Sequence, residues 1–209
     1  MNETLSQKAY TQIKQDILEG RIRSDTVLSE RGLSQAMQIS RTPLRSALSR
    51  LEREGVVDRL GNGALHVRPV SVEQLMEIIQ LRMVLESAAA ARAARFGLTF
   101  ALAEHGAVMR RYADGLSTTF DAFWAADDAF HIAVIDAAQL RVLPGIIAEQ
   151  RATARRCTIT RTHDNFAQQA REHLAVLDAI EAQEPDTAQA AMVAHFTNIR
   201  QRFLNWLTR

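Results

Sequence analysis

Four side chains in the carboxyl-terminal half have the types and spacing of a metal site. Asp127 and His131 lie four positions apart in a stretch where Phe123, Phe130 and Val134 recur at helical intervals, so both polar groups fall near the buried stripe of one helix. A polar pair turned toward a core needs a partner. His173 shares a stripe with Phe166, Leu177 and Ile180, and His195 shares one with Met192, Ile199 and Phe203. Three helices therefore each offer an imidazole inward. One carboxylate with three imidazoles can hold zinc, nickel, manganese or iron and leave one or two positions for water or an anion. A single inward histidine is most often a satisfied core residue. Three of them with an i, i+4 aspartate favour a ligand set, and His105 and His163 are the other histidines of this half.

A second constellation sits near the amino terminus. Ser40-Arg41-Thr42-Pro43-Leu44-Arg45 opens a helix, so free amides, the positive end of the dipole, two hydroxyls and two guanidinium groups share one end. Phosphates and guanine edges suit such a surface. Arg41 and Arg45 are four apart and share a face, Arg31 precedes them on another helix, and Gly63 lets a backbone approach a phosphate closely. Single exposed arginines mostly keep a helix soluble; the set together points to a duplex.

The elements that must carry these groups are legible from periodicity. A first helix spans about 6 to 19, with Ser6 as its cap and Ala9, Ile13 and Ile17 inward. Ser29 caps a second, with Leu33, Ala36 and Met37 inward. A third starts at Arg41, buries Leu44, Ala47, Leu48 and Leu51 and stops at Gly55. Two short apolar runs, 56–60 and 64–68, flank Gly61-Asn62-Gly63 and predict a hairpin. Three helices and a hairpin make a winged helix-turn-helix over residues 1–70. Ser71-Val72-Glu73-Gln74 is a capping box between Val70 and Leu75, and opens a second domain, 71–209. There, helical spacing recurs over 72–96, 100–115, 119–138, 142–161, 165–182 and 186–207, with a break at Thr162–Asp164 among others. The expected fold is mainly α, the second domain being an all-α antiparallel bundle.

Composition narrows the class of function. The 209 residues carry 25 basic and 24 acidic side chains, and the balance is uneven: 11 against 8 in residues 1–70, 14 against 16 beyond. An excess that small cannot by itself identify a nucleic-acid partner, so the placement of the arginines carries that argument. The longest alanine-rich run is broken by Arg92, far short of the about 20 apolar residues of a membrane span. The first 30 residues have no apolar core of the signal-peptide kind, and lone Cys157 can form no internal disulfide. A cytoplasmic protein without a membrane partner is expected.

The residues also resemble a family. Leu28-Ser-Glu-Arg-Gly-Leu33, Ile39-Ser-Arg-Thr-Pro-Leu-Arg-Ser-Ala-Leu48, Leu51-Glu-Arg-Glu-Gly-Val56 and the Gly61-Asn-Gly63 wing look like the amino-terminal domain of GntR-type bacterial transcription regulators. That resemblance implies DNA contacts by Arg31, Arg41 and Arg45, with Thr42 on phosphate and Gly63 in the wing; Ser40, which opens the same string, joins the expected DNA-binding set. The chain departs from the pattern at Gln38, where glycine is usual, and at Ser24-Asp25, where Pro-Gly is usual. Asp-x-x-Phe-His at 127–131, Glu172-His173 and His195 are similar to the FCD effector domain of FadR-like members, as is Leu81-Arg82 with Leu85-Glu86. This implies metal ligation by Asp127, His131, His173 and His195, with a small carboxylate over the metal. Arg82 would hold that carboxylate, or else form an exposed pair with Glu86. Family members usually have Asn near Gln139.

The function expected is a ligand-responsive regulator, of repressor type, acting as a homodimer on a near-palindromic operator. Zinc leads the candidate metals. A helical-bundle metalloenzyme with an Asp/His3 site is the alternative from another class, and a sensor whose signal is the metal itself uses the same four residues.

Overall fold

The computed structural model describes residues 3–157, 159–160 and 165–208, which divide into two compact units. The first runs to Ser71 and takes in Arg155, Arg156 and Cys157 from later in the chain. Its elements are α1 (Leu5–Leu18), β1 (Val27–Leu28), α2 (Glu30–Met37), α3 (Arg41–Arg53), β2 (Val57–Arg59) and β3 (Leu65–Val67).

α1 buries the expected stripe of Ala9, Ile13 and Ile17, with Tyr10 added. Its cap is Thr4, not Ser6: Thr4 has extended backbone and its hydroxyl accepts the Gln7 amide, whereas Ser6 lies inside the first turn. α3 buries Leu44, Ala47, Leu48 and Leu51 and leaves its basic face in solvent. α2 contributes only partly buried Leu33 and Met37 to this core, and Ala36, expected inward, is exposed. The sheet has three antiparallel strands in the order β1-β3-β2, with Val27 opposite His66 and Val57 opposite Val67. β1 was not expected, because a two-residue strand is too short to show alternation. Tyr10 donates its hydroxyl to Glu54 at 2.8 Å, and Lys14 reaches the same carboxylate at 2.7 Å. Arg156 Nη2 donates to the carbonyls of Arg68 at 2.6 Å and Val56 at 3.3 Å.

Both departures from the GntR pattern fall on left-handed backbone. Gln38 ends α2 with φ 54° and ψ 38°, and Asp25 has φ 67°. Glycine takes such angles without cost, and a side chain there is strained. Gln139, in the second unit, has φ 57°, where Asn is better tolerated than Gln.

Among the described residues the second unit has six α-helices: α4 (Val72–Phe96), α5 (Phe100–Ala113), α6 (Phe120–Ala137), α7 (Leu143–Arg155), α8 (Phe166–Glu181) and α9 (Pro185–Leu207). α4 packs on α9 and α6, α8 on α9 and α5, and α5 on α6. Gly106 of α5 sits against Leu177 of α8 so closely that a Cβ there would overlap the leucine methyl. α7 stops at Arg155, well before the expected 161, since the next residues leave the bundle for the first unit. The expected break at Thr162–Asp164, and His163 with it, lies outside the described residues. No described helix is long and apolar enough to cross a membrane.

Candidate metal centre and nucleic-acid surface

The bundle brings the four expected ligands together. α6 supplies Asp127 and His131, α8 His173 and α9 His195, with one ligand atom from each inside a cluster 4.8 Å across. All three imidazoles are fully buried. Second partners orient two of them: His131 Nδ1 lies 2.5 Å from Glu86 Oε2, and His195 Nδ1 lies 3.0 Å from Glu172 Oε2. A carboxylate on one nitrogen fixes the tautomer and turns the other outward as an acceptor, the usual support of a metal-bound histidine. The Nε2 atoms of His131 and His195 and the Nδ1 of His173 make no hydrogen bond, although buried polar atoms nearly always have one. His173 Nε2 lies 3.1 Å from Asp127 Oδ1. Atoms bound about 2.1 Å from one tetrahedral ion lie about 3.4 Å apart, so the widest pair of the set would have to approach by about 1.4 Å to close on zinc. The donor set and its unsatisfied nitrogens fit a divalent transition ion.

The electrostatics favour neutral, ligating imidazoles. Burial lowers the pKa of His131 against the opposing pull of Glu86, and burial with the neighbouring His173 pushes His195 down to about 3. Burial works to raise Glu172, yet hydrogen bonds from His195 and Arg202 hold it at about 2. Burial is likewise outweighed at Asp127, which Arg151 and His173 keep well below the carboxylate range. Arg151 spans Asp127 and Asp128, and Gln169 donates to Asp127 Oδ1 at 2.8 Å. Metal binding needs a neutral imidazole and an ionised carboxylate, and both are in place.

Beside Asp127 lies an internal cavity in which the positions open to a water's centre span about 50 Å³. That is room for several waters or a small organic molecule. Its walls include Leu75, Phe123, Trp124, Phe166, Phe203 and Arg82. Arg82 is not exposed as its alternative reading required. It is 5% accessible, bonds Glu86 Oε1 through Nε at 2.7 Å, and leaves Nη2 without a partner.

On the first unit, Arg31, Ser40, Arg41, Thr42, Arg45 and Gly63 are all exposed. Ser40 is the residue before α3 and its side chain makes no cap bond. An open groove between α3 and the wing is lined by Glu30, Arg45, Ser49, Arg59, Asn62 and Gly63, among others. The fold thus joins Arg45 to Gly63, while Arg31, Ser40, Arg41 and Thr42 stand outside that lining. Glu30 holds Arg45 at 2.8 Å and Arg59 at 3.1 Å, presenting both guanidinium groups at the groove. Gly63 has φ 81° with open space around it, so backbone angle rather than crowding calls for glycine.

Arg59, Arg151, Gln169 and the orienting roles of Glu86 and Glu172 were not anticipated. For Glu86 a signal existed, its place four residues after Arg82. The others meet their partners across helices, where spacing within one helix carries no information.

Comparison with known proteins agrees with both halves. The family "Bacterial regulatory proteins, gntR family" matches residues 5–67, and the FCD domain matches residues 77–198. The chain is 24% identical to the HTH-type transcriptional repressor RspR of Escherichia coli K12, over 95% of this chain and 89% of that protein. It is 28% identical to the Uxu operon regulator of Haemophilus influenzae, over 95% and 83%. The solved structure of E. coli McbR/YncC shares the fold, with a TM-score of 0.79 at 17% identity over 99% of this chain and 100% of that one. These relatives are regulators, which answers the enzyme alternative. A helix-turn-helix of gntR type followed by an FCD domain makes this chain a member of the GntR family of bacterial transcription regulators, in its FCD-containing, FadR-like branch.

Proposed function

We propose that the chain is a homodimeric repressor of a near-palindromic operator, released when a small carboxylate binds beside a divalent transition metal, zinc first among the candidates. Residues 1–70 read the duplex, Arg31, Arg41 and Arg45 at base edges and phosphates, with Ser40, Thr42 and Gly63 on the backbone. Residues 71–209 hold the metal through Asp127, His131, His173 and His195 and bind the effector. The metal would supply positive charge at an open position; Arg82 would supply the second contact to the carboxylate. The observation that carries this reading is the set of buried Nε2 atoms without hydrogen bonds, next to a cavity walled by the unpartnered nitrogen of Arg82. Repression is supported by the name of the E. coli relative, the transcriptional repressor RspR. The cavity favours an organic signal over the metal as signal.

The test takes purified protein, measures its metal by elemental analysis, and titrates its complex with an operator selected from randomised duplexes. An effective acid should weaken operator binding by about five- to 150-fold, the range of a typical coupling energy. Arg82→Ala should blunt that response without changing metal content. An acid that releases wild type and R82A alike would make Arg82 structural. A protein that takes up neither zinc nor nickel would return the histidines to a packing role.

A further inference from the structure

The walls of the cavity say more about its ligand than that it is an anion. Phe120, Phe123, Trp124, Phe166 and Phe203 all line it, and Leu75, Ile79 and Ile199 fill the gaps between rings. Phe123 and Phe166 stack at 4.7 Å, and Phe120 and Trp124 lie 5.2 Å apart, so the surface is built of ring faces and edges. Polar groups that line it are mostly committed. Arg202 spends Nη1 and Nη2 on Glu172, and Gln169 donates its amide to Asp127. Among the described lining residues, Arg82 Nη2 and Trp124 Nε1 are the buried nitrogens with no partner. Both are donors. A polyhydroxy acid would bring several hydroxyls, each needing a partner, and each left bare weakens binding by about ten-fold or more. An aromatic ring needs no polar partner and gains offset and edge contacts from the ring walls.

We infer that the effector is a small aromatic monocarboxylate, its carboxylate between the metal site and Arg82 and its ring among Phe123, Trp124, Phe166 and Phe203; this rests on the carboxylate-response reading above.

Calorimetry on the zinc-loaded full chain tests the inference with three probes: phenylacetate, propionate and gluconate. Phenylacetate should bind at least ten-fold more tightly than either of the others. Phe166→Leu, which roughly keeps the volume but removes a ring face, should lower phenylacetate affinity several-fold and leave zinc content unchanged. The ranking in wild-type protein decides the matter even if that variant folds poorly. Gluconate or propionate binding as well as phenylacetate would overturn the aromatic assignment and leave the carboxylate reading standing. If none of the three acids binds the zinc-loaded chain, both fall.

Discussion

Glu86→Gln isolates the buried charge network from the shape of the core. The substitution keeps nearly every atom and removes one negative charge from a residue with no solvent exposure. Glu86 accepts from Arg82 Nε at 2.7 Å and faces His131 Nδ1 at 2.5 Å, so one change strikes a guanidinium and an imidazole together. Arg82 would keep the face of Phe196, 4.9 Å away, the pull of Asp127 and a neutral amide oxygen in place of a carboxylate. Leaving one member of a buried pair uncompensated costs about 3–5 kcal/mol. Against a typical domain stability of about 5–15 kcal/mol, that is a large share. For a chain of this size each kcal/mol moves the melting point by about 2–4 °C, so E86Q should melt roughly 6–20 °C below wild type. Zinc affinity should fall about ten- to 100-fold, as for the loss of other groups that orient a ligand. Thermal unfolding and zinc titration against a chromophoric chelator read the two effects separately. The double variant Arg82→Met with Glu86→Gln removes both charges and should recover much of the lost stability. If E86Q melts with wild type, or the second substitution worsens it further, Arg82 and Glu86 are not a compensated pair and the reasoning fails.

Arg41→Ala or Arg45→Ala should each weaken specific operator binding by about 1–3 kcal/mol in gel shifts while leaving the melting curve in place, because both side chains stand in solvent. Gln38→Gly should stabilise the first unit by about 0.5–1 kcal/mol in urea unfolding: relief of left-handed strain exceeds the added freedom of the unfolded chain. Burial works to raise Glu54, but hydrogen bonds from Lys14 and Tyr10 hold it below its ordinary 4.5. A carboxylate with a depressed folded pKa stabilises above its unfolded value, and that stability drains away as pH falls through the folded one. Protection of the α1 amides against hydrogen exchange, taken relative to the intrinsic rate at each pH, should therefore fall below about pH 4.5, and Glu54→Gln should flatten that dependence.

The grouping of Asp127, His131, His173 and His195 could be read from sequence because Asp127 and His131 share one helical face and His173 and His195 each lie on an apolar stripe. Periodicity alone puts such groups inside. What it could not supply is distance across the bundle: Arg151 comes to Asp127, Gln169 to the same carboxylate, and Glu86 to His131 only through packing of separate helices. Arg82 shows the limit from the other side. Its spacing to Glu86 matches that of a solvent-exposed pair, and only burial tells the two apart. On the first unit, α3 and the wing were legible, whereas β1 pairs with β3 through two residues that carry no pattern.

Gly106 belongs to the candidate metal centre in a sense that no list of its side chains conveys. It is a spacer of zero thickness: the missing side chain sets how near α5 and α8 can lie, and α8 carries His173 one turn before Leu177, the residue that fills the gap. Metal bonds tolerate errors of only about 0.2 Å. A methyl group at position 106 would press on the Leu177 side chain, one turn from His173. The chain keeps a residue that weakens a helix interior by about 0.5–1 kcal/mol relative to alanine, and gains by it the registration of an imidazole on a different helix.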